Sequence, residues 1–160
     1  MPKANHIPQG RHTVTPFLVI RDAAKAIDFY TKAFGAQEVT RMLTPDGKIM
    51  YAQITIGDSA ICMCDENPSC GTSSPQTLGG TASSLFIYTQ DVDAAYDRAV
   101  TAGCKSNLPP TDMFWGDRFA GLVDPFGHQW SIATHIEDVS PEEMKKRGEA
   151  FCKQMAGAKA

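Results

Sequence analysis

The sequence predicts an α+β chain: two copies of one βαβββ module, followed by a C-terminal helix. The first observation behind this is a repeat: Asp22 matches Asp91, Gly47 matches Gly116 and Gly57 matches Gly127, an offset of 69–70 residues. That period is too long for a solenoid unit and suits two copies of a supersecondary module. The second is that each half opens with an apolar run ending in Asp, continues with a helical apolar pattern closed by Gly, and ends in turn-separated β-like runs. The third is a single stretch rich in Pro, Gly, Ser and Thr, residues 67–82, that divides the halves.

Residues 1–13, "MPKANHIPQGRHT", are polar and read as an exposed N-terminal arm. The first module spans 14–66. "TPFLVIRD" is its opening strand, and Asp22 is the expected N-cap of "AAKAIDFYTKAFG". In that helix Ala26, Ile27, Tyr30, Ala33 and Phe34 recur on one face, and Gly35 is the stop signal. "QEVTRMLTPDGKIMYAQITIGDSAICMCDE" reads as three strands with turns at "PDG" and "IGDS". After the 67–82 linker, the second module spans 83–137. "SSLFIYTQD" is a strand, and "VDAAYDRAVTAG" a helix with Val92, Ala95, Tyr96, Ala99 and Val100 on one face. "CKSNLP", "RFAGLVDP" and "HQWSIATH" complete it. In 138–160, Ser140 and Glu143 form a capping box, Pro141 takes the first helical position, and Met144, Phe151 and Met155 make an apolar stripe.

Bulk properties narrow the function. At 160 residues, with 42% hydrophobic and 21% charged residues, the chain can bury its own core. A net charge of −3 supplies no field for nucleic acid or an anionic membrane, so neither is an expected partner. No apolar run reaches membrane-spanning length, and the N-terminus has no signal-peptide core. Five cysteines without a regular framework point to a reduced, cytoplasmic protein. Cys62 and Cys64 share a strand face; small buried strand residues are the favoured reading over a thiolate metal pair. No P-loop, G-x-G-x-x-G or G-x-S-x-G is present.

Paired βαβββ modules resemble the vicinal-oxygen-chelate superfamily of glyoxalases, bleomycin-resistance proteins and extradiol dioxygenases. "IRDAAKAIDFYTKAFGA" and "DPFGHQWSIA" carry the resemblance over residues 14–137. The wording "PPTDMFWGDRFAGLVDPFGHQWSIATHIEDVSPEEM" is similar to the PhnB-like subgroup. Methyltransferase labels attached to that subgroup find no support here, since there is no glycine-rich strand–helix turn to hold an adenosyl cofactor. The resemblance implies an eight-stranded cup that holds a ligand, assembled as a homodimer. In enzymatic relatives it implies a divalent metal on His and Glu ligands. The matching positions here are Thr15, Cys62, Ser84 and Ser131, a poor donor set for such an ion. No metal and no cofactor are therefore expected. His12 and His128 fall on the wrong strand face to substitute; Gln53 or Glu66 would do so only with a shifted register.

The expected function is a small-molecule binder with a metal-free cup. Trp115, Arg118 and Trp130 are the first candidates to line it, with Phe17, Tyr51, Gln53, Met113 and His135 behind them. Arg118 suits a carboxylate or phosphonate, or else an ion pair with Asp117 or Asp124. Trp115 suits a planar or cationic ligand. Trp130 also reads as core. His135 is the one residue here with a natural pKa for acid–base chemistry, and a Cys62 nucleophile with His135 as base is conceivable. The alternatives are a metal-dependent lyase or dioxygenase of the same superfamily, and a non-catalytic scaffold or regulatory protein whose cup its own side chains fill.

Overall fold

In the computed structural model, residues 4–157 are described. The chain forms two four-stranded sheets, ordered β1-β4-β3-β2 and β5-β8-β7-β6, four helices and one short 3-10 turn. The strands are β1 (Phe17–Ile20), β2 (Gln37–Leu43), β3 (Ile49–Ile56), β4 (Ser59–Asp65), β5 (Ser84–Tyr88), β6 (Lys105–Asp112), β7 (Asp117–Val123) and β8 (Gln129–His135). Helices α1 (Ala23–Phe34) and α3 (Val92–Ala102) each follow the first strand of a module; α2 (Pro75–Leu78) lies between modules, and α4 (Pro141–Gly157) ends the chain. This is the expected α+β architecture of two βαβββ units plus a C-terminal helix, and among the described residues the sheets do not close into a barrel.

The modules are equivalent in register as well as in order. β1 pairs with β4 in parallel, Phe17 opposite Cys62; β5 pairs with β8 in parallel, Phe86 opposite Ser131. Period-two alternation then sorts the side chains. Leu18, Ile20, Ile54, Ile61 and Met63 lie on the α1 side of the first sheet, Leu85, Ile132, Ala120 and Leu122 on the α3 side of the second, and Trp130 of the second sheet packs on Tyr30 and Phe34 of α1, all in one core. The opposite faces stay open. Phe17, Phe86 and Tyr88 are 54%, 49% and 64% exposed there. The outer strands β2 and β6 are mostly exposed. β6 carries Pro109 and Pro110, which an edge strand tolerates because it has no second neighbour to bond.

The predicted stripe of α1 is buried as read, while α3 buries only Val92, Ala95 and Ala99. The two helices pack on each other, and small alanines let their backbones approach. Val100 lies off that contact and is exposed.

Helix capping differs from the expectation at one end. Asp91 accepts from Ala94 N, but Asp22 adopts φ +66° and makes no capping bond. Asp65, at the end of β4, caps α1 instead, with Oδ1 accepting from Ala23 N at 2.8 Å. Thr134 on β8 does the same for α3 through Val92 N. In both modules the last strand caps the helix, a long-range contact with no local signature.

The linker is ordered by one carboxylate. Glu66 accepts from Arg21, Thr77 and Ser74 N, and these partners hold its acid down at about 2. That work occupies the oxygen a shifted register would have offered to a metal. At the seam between modules, Asp124 of the D-P-x-G turn is buried and accepts four hydrogen bonds. Its Oδ1 takes Phe126 N and His128 N, and its Oδ2 takes the Tyr30 hydroxyl from α1 and the Trp130 indole.

Candidate functional site

The helix-free faces carry two clusters of polar and aromatic side chains, one on each module. The four positions that match the metal ligands of enzymatic relatives carry only hydroxyls and one thiol. The Ser84 and Ser131 Oγ atoms lie 3.2 Å apart. Thr15 donates to the His12 carbonyl, and Cys62 Sγ lies 3.2 Å from the Tyr51 hydroxyl. Among the described residues, no three His, Cys, Asp or Glu side chains gather as a metal-binding group.

On the first module, Tyr51, Gln53, Cys62 and Phe17 come together. Gln53 is buried beneath Tyr51, and the Phe17 ring lies 6.5 Å from the Tyr51 ring. Arg11 of the N-terminal arm completes the set. Its Nε and Nη2 donate to Gln53 Oε1 at 3.1 and 2.7 Å, and Nη2 also donates to the Tyr51 hydroxyl. The arm is therefore docked at this point rather than free. Nothing local in "QGRHT" announces it, because its partners lie 40 or more residues away. Burial and the neighbouring Cys62 thiol push the Tyr51 phenol up, against the guanidinium's opposing pull.

On the second module, buried Asp117 is the hub. It accepts from the Tyr88 hydroxyl at 3.0 Å and the Trp115 indole at 3.0 Å, and its other oxygen lies 2.8 Å from His135 Nδ1. These contacts pin an aromatic row whose successive ring centroids, Tyr88–Phe86–Phe119–Trp115, are 4.9, 5.6 and 5.9 Å apart. His135 Nε2 meets Asp138 at 3.0 Å. The two carboxylates, Asp138 first, raise the imidazole above its ordinary value, so it favours the charged form. Phe86, Tyr88, Phe119 and Asp117 were not among the sequence candidates. The alternation of "SLFIYTQ" would have placed the first two on one face.

Arg118 departs from the expected lining, whereas Trp130 is a core residue that also reaches the wall of the cleft between the modules. Arg118 lies one residue out of step with Asp117, on the helix side of β7. There it bonds Asp93 of α3 at 2.7 and 2.8 Å and Asp112 of β6 at 2.8 Å. It is an ion-paired structural residue, and its partners are neither Asp117 nor Asp124. Trp130 is 1% exposed, packed against Tyr30 and Phe34 with its indole on Asp124. Met113 is half-buried where the turn into β7 begins, bonding backbone to backbone with Asp117 and Gly116. Between the modules runs a cleft of about 790 Å³, with Phe17 and Ala60 on one wall, Ser84, Phe86 and Tyr88 on the other, and His12 of the arm and Val14 at its side.

Residues 10–132 match the sequence model of the Glyoxalase/Bleomycin resistance protein/Dioxygenase superfamily. The chain belongs to this superfamily. An uncharacterized protein of Mycobacterium tuberculosis is 41% identical over 135 residues, covering 82% of this chain and 79% of that protein. Among solved structures, the Arabidopsis thaliana gene product At5g48480 superposes with a TM-score of 0.64 at 25% identity, over 76% of this chain and 98% of that one. The PhnB protein from Bacillus cereus does so with a TM-score of 0.60 at 19% identity, over 77% and 99%, a likeness that speaks for the fold.

Enzymatic members of the superfamily use a divalent metal, and the residues here do not fit one. Thr15, Cys62, Ser84 and Ser131 provide no imidazole, no carboxylate and a single thiol, too few strong donors for such an ion. Their hydroxyls and thiol are also engaged with one another or with Tyr51 and His12.

Proposed function

We propose that this protein is a PhnB-like member of the superfamily that binds a small organic molecule on its helix-free faces without a divalent metal. The observation that carries this reading is the aromatic row of the second module. Rings that are half exposed on a sheet face, yet held in orientation by a buried carboxylate, form a stacking platform that loses little entropy on binding. The cleft beside them has the size of an ordinary small-molecule site. The subgroup reading is supported by the WGDR…DPFGH…EDVSPEE wording. A second copy of the chain would enclose faces that one copy leaves open, so the working form is a homodimer. Its five cysteines are all free, in keeping with a reducing cytoplasm. No helix of the described residues is long and apolar enough to cross a membrane.

The test uses the two tryptophans. Trp130 is buried, so a flat aromatic compound that stacks on the second module should quench Trp115 and raise the melting temperature. Trp115→Phe should lose the quenching. Elemental analysis of protein purified without a metal-affinity tag belongs beside it. Near-stoichiometric nickel, zinc, iron or manganese would sink the metal-free reading. A compound library that neither quenches Trp115 nor shifts melting would sink the binding reading.

A further inference from the structure

We infer that Arg11 anchors the oxyanion of an aromatic acid on the first module's open face. This rests on the small-molecule reading above and names the ligand class. The guanidinium is half-buried against the sheet. Arg21, Arg41, Arg118 and Arg147 each pair with a carboxylate, and Arg98 donates to the Ala33 carbonyl. Arg11, like Arg98, has no carboxylate within ion-pair distance among the described residues, but it is half-buried where Arg98 is exposed; its contacts are the neutral oxygens of Gln53 and Tyr51 and the Tyr51 ring, 5.9 Å from its guanidinium carbon.

A cation partly withdrawn from water and satisfied only by neutral dipoles keeps most of its attraction for an anion. The geometry leaves donors for one. Arg11 Nη1 makes no hydrogen bond among the described residues. Since a guanidinium only donates, the Gln53 amide must turn its oxygen to Arg11, leaving its NH2 as a second donor. Phe17, 54% exposed and 6.5 Å from the Tyr51 ring, supplies an aromatic wall beside these donors. A flat ring bearing one carboxylate or phosphonate matches a fork, an amide and a phenyl face. The acids near the second module, Asp117 and Asp138, are turned to His135 and offer no competing anion here.

The experiment is a heteronuclear NMR titration of the full chain with benzoate, phenylphosphonate and benzyl alcohol, reading the Arg11 Nε–H and Gln53 side-chain NH2 signals. Both acids should move these signals and bind at least tenfold more tightly than benzyl alcohol. Arg11→Gln should remove that advantage, Arg11→Lys should restore part of it, and Arg118→Gln should leave it unchanged. The stronger of the two acids identifies the oxyanion. Melting temperatures check that each variant is folded, and Arg11→Lys keeps the test open if Arg11→Gln frees the arm. Acids that bind no better than the alcohol, or bind equally well to Arg11→Gln, overturn the inference. Quenching of Trp115 by other compounds would then leave the broader binding reading standing. Failure of all three probes together with a silent Trp115 overturns both.

Discussion

Replacing Asp124 should cost the protein much of its stability, and two variants separate the reasons. The carboxylate is 4% exposed and accepts from Tyr30 at 2.7 Å and from Trp130, Phe126 N and His128 N at 2.9 Å each. Asp124→Ala strands four donors, two of them on side chains no more than 1% exposed. A buried donor left without an acceptor costs about 1–3 kcal/mol. Relief from holding a buried charge offsets part of that, which puts the loss at about 3–5 kcal/mol. Asp124→Asn keeps the shape and one carbonyl oxygen for the two backbone donors. Its amide NH2 then faces Tyr30 and Trp130. Tyr30 can rotate its hydroxyl to accept, but the indole only donates, so one bond is lost, about 1–3 kcal/mol. Equilibrium urea unfolding followed by Trp130 emission measures both. The reasoning fails if Asp124→Ala loses less than about 1 kcal/mol, or if Asp124→Asn is as damaging as Asp124→Ala. Because Tyr30 belongs to α1 and Trp130 to β8, the alanine variant should also separate the unfolding of the two modules.

Two further outcomes follow from the second module. The His135 imidazole is raised by Asp138 and Asp117, so its contribution to stability is fully present below the ordinary imidazole value and fades as pH rises through the raised one. Burial lowers His128, which acts in the opposite sense as pH falls, but it is common to both proteins when wild type is compared with His135→Gln. The difference in melting temperature should therefore be largest near pH 5.5 and shrink toward pH 9; a constant or growing difference contradicts the assignment. Gly116 sits at φ +96° with room for no side chain, since an added Cβ would lie 2.1 Å from the Glu137 carbonyl oxygen. Gly116→Ala should lose at least about 2 kcal/mol in thermal denaturation and loosen the Trp115 turn; a melting temperature equal to wild type contradicts the close approach.

Elements governed by neighbours along the chain are legible in the residues themselves. The apolar spacing of α1, the glycine stops and the "PDG" and "DPFG" turns depend on contacts within a few residues, so local chemistry specifies them. The resemblance to the superfamily, carried by the helix and D-P-x-G wording, is what points to Thr15, Cys62, Ser84 and Ser131. What tertiary structure decided was which long side chains meet. Asp65 displaced Asp22 as the cap of α1 because β4 ends beside that helix, 42 residues from Ala23. Arg118 found Asp93 and Asp112 because strand alternation turned it toward α3. Arg11, in a stretch with no periodicity, came to rest on Tyr51 and Gln53. A flexible charged side chain takes whichever partner folding brings within reach, and that partner is set by how the modules pack, not by the residues beside it in the chain.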